Sequence, residues 1–294
     1  MREKRIIQLI TVVSMFFLLQ LCPQKSYCKV YEKYNDIYAG LPFTVYKFSR
    51  ERIGGERVYA KYFAHNAYKS FTNWRIDKRV IMVCAGGFSI SWDVNSNPSG
   101  LCIDNGAVVN RAVSVYRDSY GNSLDGLVIV YNGGVDAGGI ALTDIQRDRV
   151  CTQYPNRRYD IKNNSSDTNQ FIDWAEKNSA TVFQLPLMYS YKFGKNYGSL
   201  NYGNKKGRRF LAICKGKNAV IYHLIIDVRS NVNMNAAADK IIDYLGKKYS
   251  LVYGVLVLEA GAKDILYEYD GARVTQIGNN GFDTATNLLV YYIQ

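Results

Sequence analysis

An apolar run, Arg79-Val80-Ile81-Met82-Val83, leads through Cys84-Ala85 straight into a glycine pair, Gly86-Gly87. A polar, turn-rich segment from Ser91 to Asn97 follows, and Gly100-Leu101-Cys102-Ile103 then closes on Asp104-Asn105-Gly106. This pattern calls for a strand, a reversal and a short second strand, because Asn-Gly readily adopts the positive φ angles of a tight hairpin turn. Paired glycines at a strand end carry no Cβ, so another chain or a ligand can come close there. The stretch from Val83 to Gly106 is therefore both a fold signal and a candidate site.

The same punctuation recurs along the chain. Leu41 to Tyr46 and the alternating Glu56 to Phe63 read as strands, and Gly126 to Tyr131 reads as a strand buried on both faces. A second glycine cluster, Asn132 to Gly139, lacks the Lys-Ser/Thr of a phosphate loop and the spacing of a dinucleotide fingerprint, and is read as a loop. Asp167 to Gln170 is expected to cap a helix carrying Phe171, Trp174 and Ala175. Thr181 to Met188 is extended, with Pro186 marking an edge or a strand end, and Tyr189 to Gly207 is a loop rich in Tyr, Gly, Lys and Asn. Arg208 to Cys214 and Asn218 to Asp227 form a hairpin about Lys215-Gly216-Lys217. Asn233 or Asn235 caps a helix with Ala238, Ile241, Ile242 and Leu245 as its apolar stripe. A strand from Leu251 to Glu259 ends in Ala260-Gly261-Ala262-Lys263-Asp264, and Asp270-Gly271 turns the chain again. Strands with two helices among them, no repeat and no linker, point to one α+β or mixed α/β domain.

The N-terminus sets an expectation for compartment. Arg2, Lys4 and Arg5 precede an almost wholly apolar Ile6 to Leu21, and the chain turns polar by Ser26-Tyr27-Cys28. That is the pattern of a secretory signal peptide over residues 1–28, with small Ser26 and Cys28 before a cut at Lys29. Bulky Leu21 disfavours lipid attachment at Cys22. The expected product is a secreted or periplasmic protein, residues 29–294, with no transmembrane anchor. Removing the leader takes away four cations and one acid, lowering the formal charge from +12 to +9. A basic exported protein suits anionic partners such as phosphorylated glycans. Its basic residues are scattered and no recognition motif is present, so nucleic acid is not an expected partner.

Four cysteines follow the leader: Cys84, Cys102, Cys151 and Cys214. An oxidising compartment permits disulfides, and Cys84 with Cys102 would tie the two sides of the glycine segment; both equally suit buried thiols. No Cys-x-x-Cys occurs. Gly87-Phe88-Ser89-Ile90-Ser91 approximates a nucleophile elbow, but the second glycine is replaced and the following residues are turn-like where the elbow needs a helix. His65 and His223 are the only histidines and neither lies in a catalytic or zinc signature. Serine hydrolysis and zinc chemistry are set aside, and no cofactor is implied.

Taken together, Gly86-Gly87-Phe88, then Pro98-Ser99-Gly100-Leu101 closing on Asn105-Gly106, then Phe183-Gln184-Leu185-Pro186, Arg208 to Ile213 and the helix and strand from Asn235 to Leu258, resemble the phosphodiester glycosidase family in order over about residues 55–290. The resemblance implies one α+β domain with a central mixed twisted sheet and flanking helices. It also implies hydrolysis of phosphodiester-linked or anionic sugars. Departures are specific: Ala85 stands where the family has Asn, Ser89 where it has a second Phe, and Leu258-Glu259-Ala260-Gly261-Ala262-Lys263-Asp264 where it has Leu-Asp-Gly-Gly-Gly-Ser-Ser. Carried onto this chain, Glu259 would supply the catalytic carboxylate. Arg208 or Arg209, the N–H groups of Gly86 and Gly87, and Lys263 would hold the anion. Lys263 could instead pair with Glu259 or Asp264. The alternative expectation is a catalytically inactive relative that keeps the scaffold and binds glycan through its many tyrosines. The glycosidase reading requires the glycine bend and the Glu259 tip to meet.

Overall fold

The computed structural model describes residues 30–91, 93–94, 96–113, 124–131, 139–152, 155–196 and 206–294. The expected leader, most of the second glycine cluster (132–138) and part of the Tyr-rich loop (197–205) lie outside the described residues. The chain begins as a hairpin, β1 (Tyr31–Tyr38) and β2 (Leu41–Ser49), followed by β3 (Val58–Phe63), helix α1 (Ala67–Trp74) and β4 (Arg79–Ala85). A short hairpin, β5 (Cys102–Asp104) and β6 (Ala107–Asn110), turns on Asn105 and Gly106, both at positive φ as their sequence demands. Then come β7 (Gly126–Val130), β8 (Ile140–Asp144), the ribbon β9 (Val150–Thr152) and β10 (Arg157–Tyr159), and helix α2 (Ser165–Lys177). β11 (Thr181–Leu185), β12 (Leu187–Ser190) and β13 (Gly194–Lys195) lead to the long hairpin β14 (Lys206–Lys215) and β15 (Ile221–Val232). Helix α3 (Met234–Lys248), β16 (Leu251–Leu258), β17 (Leu266–Asp270), β18 (Arg273–Gln276) and β19 (Leu288–Ile293) complete it.

These strands build three main sheets in which every described pairing is antiparallel: β1-β2-β15-β14-β16-β12-β13, β6-β5-β11-β7-β8 and β18-β17-β4-β19-β3. The α+β class holds, but the expected single mixed sheet does not. The described strand neighbours pair antiparallel, and helices lie on outer faces instead of crossing between parallel strands. The three sheets share one core. Tyr46, Phe48, Leu211 and Ile225 meet Val128, Phe183 and Leu185 from the second sheet and Tyr62, Met82 and Tyr291 from the third. Rings stack across it, Phe48 on Tyr291 at 3.9 Å and Tyr62 on Phe183 at 4.0 Å.

Each outer face is sealed by one helix. Ala238, Ile241 and Leu245 of α3 cover Phe210, Ala212 and Val255. Phe171, Trp174 and Ala175 of α2 cover Leu101, Leu127 and Val182, and Phe71 of the shorter α1 covers Phe63, Val83 and Leu288. Strands buried on both faces explain the continuous apolar runs in β4, β7 and β14. The Asn233 side chain caps α3 as expected, accepting from the N–H groups of Asn235 and Ala236. For α2 the cap is Asn164, ahead of the expected Asp167, which sits in the first turn and accepts the Asp160 N–H at 2.8 Å. Pro186 marks a strand end. There the chain leaves one sheet as β11 and enters another as β12, and the Pro186 carbonyl accepts the Val257 N–H at 2.9 Å.

All four described cysteines are free thiols: Cys84, Cys102 and Cys214 are buried and Cys151 is exposed. Burial pushes the Cys84 thiol up to about 12. No helix among the described residues is long and apolar enough to cross a membrane.

Candidate functional site

β4 runs between β17 and β19 and ends at Ala85, just before Gly86, while β16 ends at Leu258. The two ends touch: the Glu259 N–H donates to the Gly86 carbonyl at 2.9 Å. The early bend and the late acidic tip, more than 170 residues apart, are thus neighbours. Beyond the bend, Ser99 N–H donates to Phe88 O at 2.8 Å and Ile90 N–H to Asn97 O at 3.1 Å, pairing the two sides of the turn-rich segment.

What comes close to the glycines is the protein itself. A Cβ on Gly86 would overlap the Tyr62 ring and lie 2.7 Å from Asn287 Oδ1. The Gly87 N–H donates to Asn287 Oδ1 at 2.7 Å, and Asn287 Nδ2 donates back to the Gly87 carbonyl at 3.0 Å. Asn287 is 1% exposed, so this two-bond clamp is closed to solvent. Gly100 has the same logic: its φ is +77°, and a Cβ would lie 2.6 Å from Gln184 Oε1, which accepts the Leu101 N–H.

Arg209 is brought to the site and is 0% exposed. Its Nε donates to Asp227 Oδ1 at 3.1 Å, its Nη2 to Asp264 Oδ1 at 2.9 Å, and its Nη1 to the carbonyls of Ile265 at 2.9 Å and Glu259 at 3.3 Å. Arg229 engages the other oxygen of each acid, Asp227 Oδ2 at 2.5 Å and Asp264 Oδ2 at 2.7 Å. Two arginines and two aspartates therefore form a neutral ring that pins the segment from Glu259 to Ile265 onto β14 and β15. Burial works against the Arg209 charge, but the Asp227 and Asp264 carboxylates outweigh it and raise its pKa above the ordinary guanidinium value.

Arg208, its neighbour on the strand, faces the opposite side of the sheet and donates from Nε to Val232 O at 3.4 Å. Lys263 Nζ donates to the Thr284 carbonyl at 2.8 Å, where neither Glu259 nor Asp264 is its partner. Glu259 is half-buried and its Oε1 accepts the Gly261 N–H at 2.7 Å. Lys206 Nζ also lies against Gly261, close enough that a Cβ there would overlap it. Among the described residues no group of three or more His, Cys, Asp or Glu could hold a metal. His223 is buried beside Tyr291, at 6.2 Å between rings, and burial lowers its pKa to about 3.

The structure brings together Gly86, Gly87, Arg209 and Glu259, turns Lys263 to the Thr284 carbonyl and directs Arg208 elsewhere. Sequence reasoning missed Asn287 and the partners Asp227, Arg229 and Asp264. Asp227 carried a signal: an acid inside the apolar run Leu224-Ile225-Ile226-Asp227-Val228 needs a buried cation. Asn287 carried none, because its role depends on β19 lying beside β4.

No family model matches the sequence, and no curated protein matches it. Among solved structures it is similar to a hypothetical protein from Synechocystis, at 11% sequence identity and a TM-score of 0.45. That likeness covers 90% of this chain, which spans 62% of the Synechocystis protein.

Proposed function

We propose that this is a secreted, phosphodiester glycosidase-like protein that binds phosphorylated or otherwise anionic sugars without hydrolysing them. The observation that supports this reading is the state of the groups a transferred phosphate would need. The Gly87 N–H is held by Asn287, and the donors of Arg209 are taken up by Asp227, Asp264 and two carbonyls. Breaking that ring to bind a phosphate would leave buried carboxylates without their cation, a penalty of about 3–5 kcal/mol that ligand binding would have to overcome. A hydrolytic site instead presents its donors preorganised and open to the developing charge.

Hydrolysis remains the second reading because Glu259 does lie at the glycine bend, with the Lys206 ammonium near the same turn. The two separate in one assay. A panel of sugar 1-phosphodiesters is incubated with the protein and with Glu259→Gln, and free sugar is measured alongside binding. The binding reading predicts no sugar release by either protein and sugar binding that survives the substitution. Sugar release that Glu259→Gln abolishes would overturn it.

A further inference from the structure

Four residues beyond Arg209 along β14, about 13 Å at the usual rise of a strand, Ile213 lines a cleft of about 470 Å³. The cleft lies at the end of the seven-stranded sheet away from Glu259, between β8, the β9–β10 ribbon and the turn after β12. Four cations line it, Arg50, Arg149, Arg158 and Lys192, against two acids, Asp144 and Asp148. Both acids are already matched: Asp144 pairs with Arg147 at 2.6 Å and Asp148 with Lys192 at 2.7 Å. Among the described residues, Arg149 and Arg158 have no carboxylate within ion-pair distance, although Arg158 acts on the Asp148 carboxylate at longer range.

The position of these arginines follows from the ribbon. Val150 and its cross-strand partner Tyr159 are buried against α2, so Cys151 and its partner Arg158 must face outward into the cleft. Across from them the chain turns at Ser190-Tyr191, held by the Tyr191 N–H donating to Tyr253 O at 2.9 Å. Tyr253 is half-buried and Tyr191 is 63% exposed, and both line the cleft. Ser190 is 6% exposed and its Oγ has no hydrogen-bond partner among the described residues.

We propose that this cleft is the binding site for a sugar ring bearing a carboxylate or a phosphate. The anion lies between Arg149 and Arg158, and the ring packs on Tyr191 and Tyr253. Charge-assisted bonds from arginine and apolar contact with an aromatic face are the two interactions such a ligand requires. The proposal rests on the binding reading above and gives it a location.

The test is calorimetric titration at low salt of glucose 1-phosphate, glucuronate, glucose and inorganic phosphate into the protein, Arg149→Ala/Arg158→Ala, Tyr191→Ala and Glu259→Gln. All four positions are on or near the surface, and thermal melting checks folding. The expected result is that glucose 1-phosphate or glucuronate binds at least about tenfold more tightly than glucose and inorganic phosphate. The arginine pair and Tyr191→Ala each weaken that binding by about tenfold or more, while Glu259→Gln leaves it unchanged. Which of the two acidic sugars prevails decides between carboxylate and phosphate. Binding lost in Glu259→Gln but kept without the arginines overturns the location while leaving a binding protein. Inorganic phosphate binding as well as the sugars, or no probe binding up to about 10 mM, overturns the sugar site itself. Sugar release from a phosphodiester overturns the non-hydrolytic reading and leaves the cleft untouched.

Discussion

Replacing Arg209 by Met is expected to destabilise the protein by about 3–5 kcal/mol, the usual penalty for leaving a buried charge without its partner. The structure sets where in that range the value falls. Arg229 still reaches Asp227 Oδ2 and Asp264 Oδ2, so neither acid is wholly abandoned. Each loses the guanidinium on its other oxygen, however, and the Ile265 and Glu259 carbonyls lose their donor as well. Each such orphaned acceptor costs about 1–3 kcal/mol, so four of them place the loss at the upper end of that range. Urea unfolding followed by tryptophan fluorescence measures the loss directly. A thermal scan should fall by roughly 6–20 °C, at about 2–4 °C per kcal/mol for a large domain. Adding Asp227→Asn and Asp264→Asn to Arg209→Met should recover part of the loss, because the buried negative charge is then gone. A destabilisation below about 1 kcal/mol together with lost ligand binding would refute the reasoning. It would mean that the charge of Arg209 serves a ligand instead of the fold.

Two further outcomes follow from the same geometry. His223 titrates near 6.5 when unfolded but at about 3 when buried, so below pH 6.5 the unfolded chain takes up a proton that the folded one refuses. Stability is lost as pH falls from about 6.5 towards 3, by on the order of 4 kcal/mol. His223→Leu should remove that part of the acid dependence when unfolding free energies of the two proteins are compared across pH 3–7. Asn287→Ala removes both bonds of the Gly87 clamp and should cost about 2–4 kcal/mol by denaturant unfolding. An effect within error would show that solvent already reaches the bend.

The hairpins were the most legible part of the sequence, because their turns are chemically explicit. Asn105-Gly106, Lys215-Gly216-Lys217 and Asp270-Gly271 all turn the chain as read, with Asn105, Gly106 and Gly271 at positive φ. The meeting of Gly86 with Glu259 was legible only through the ordered resemblance, since neither residue carries information about the other. The division into three sheets was hidden. Thr181 to Met188 reads as one extended apolar run, and that the chain changes sheets at Pro186 is settled by which strands its two halves find. The state of Arg209 was hidden for a related reason. A sequence shows a basic pair at a strand start, but its partners lie 18 and 55 residues away. Whether a cation faces a ligand or a carboxylate is decided by packing. The cleft was the least visible feature, because Arg149, Arg158, Ser190 and Tyr253 belong to four separate segments with no common motif.

Hydrogen exchange of the protein with and without glucose 1-phosphate asks most directly which end of the molecule holds the anion. Amides around Arg149, Arg158 and Tyr191 should slow on binding, while those at Gly86, Gly87 and Gly261 keep their unliganded rates. Slowing confined to the glycine bend and the Glu259 turn would contradict a bend that is filled by Asn287 and sealed by the Arg209 ring.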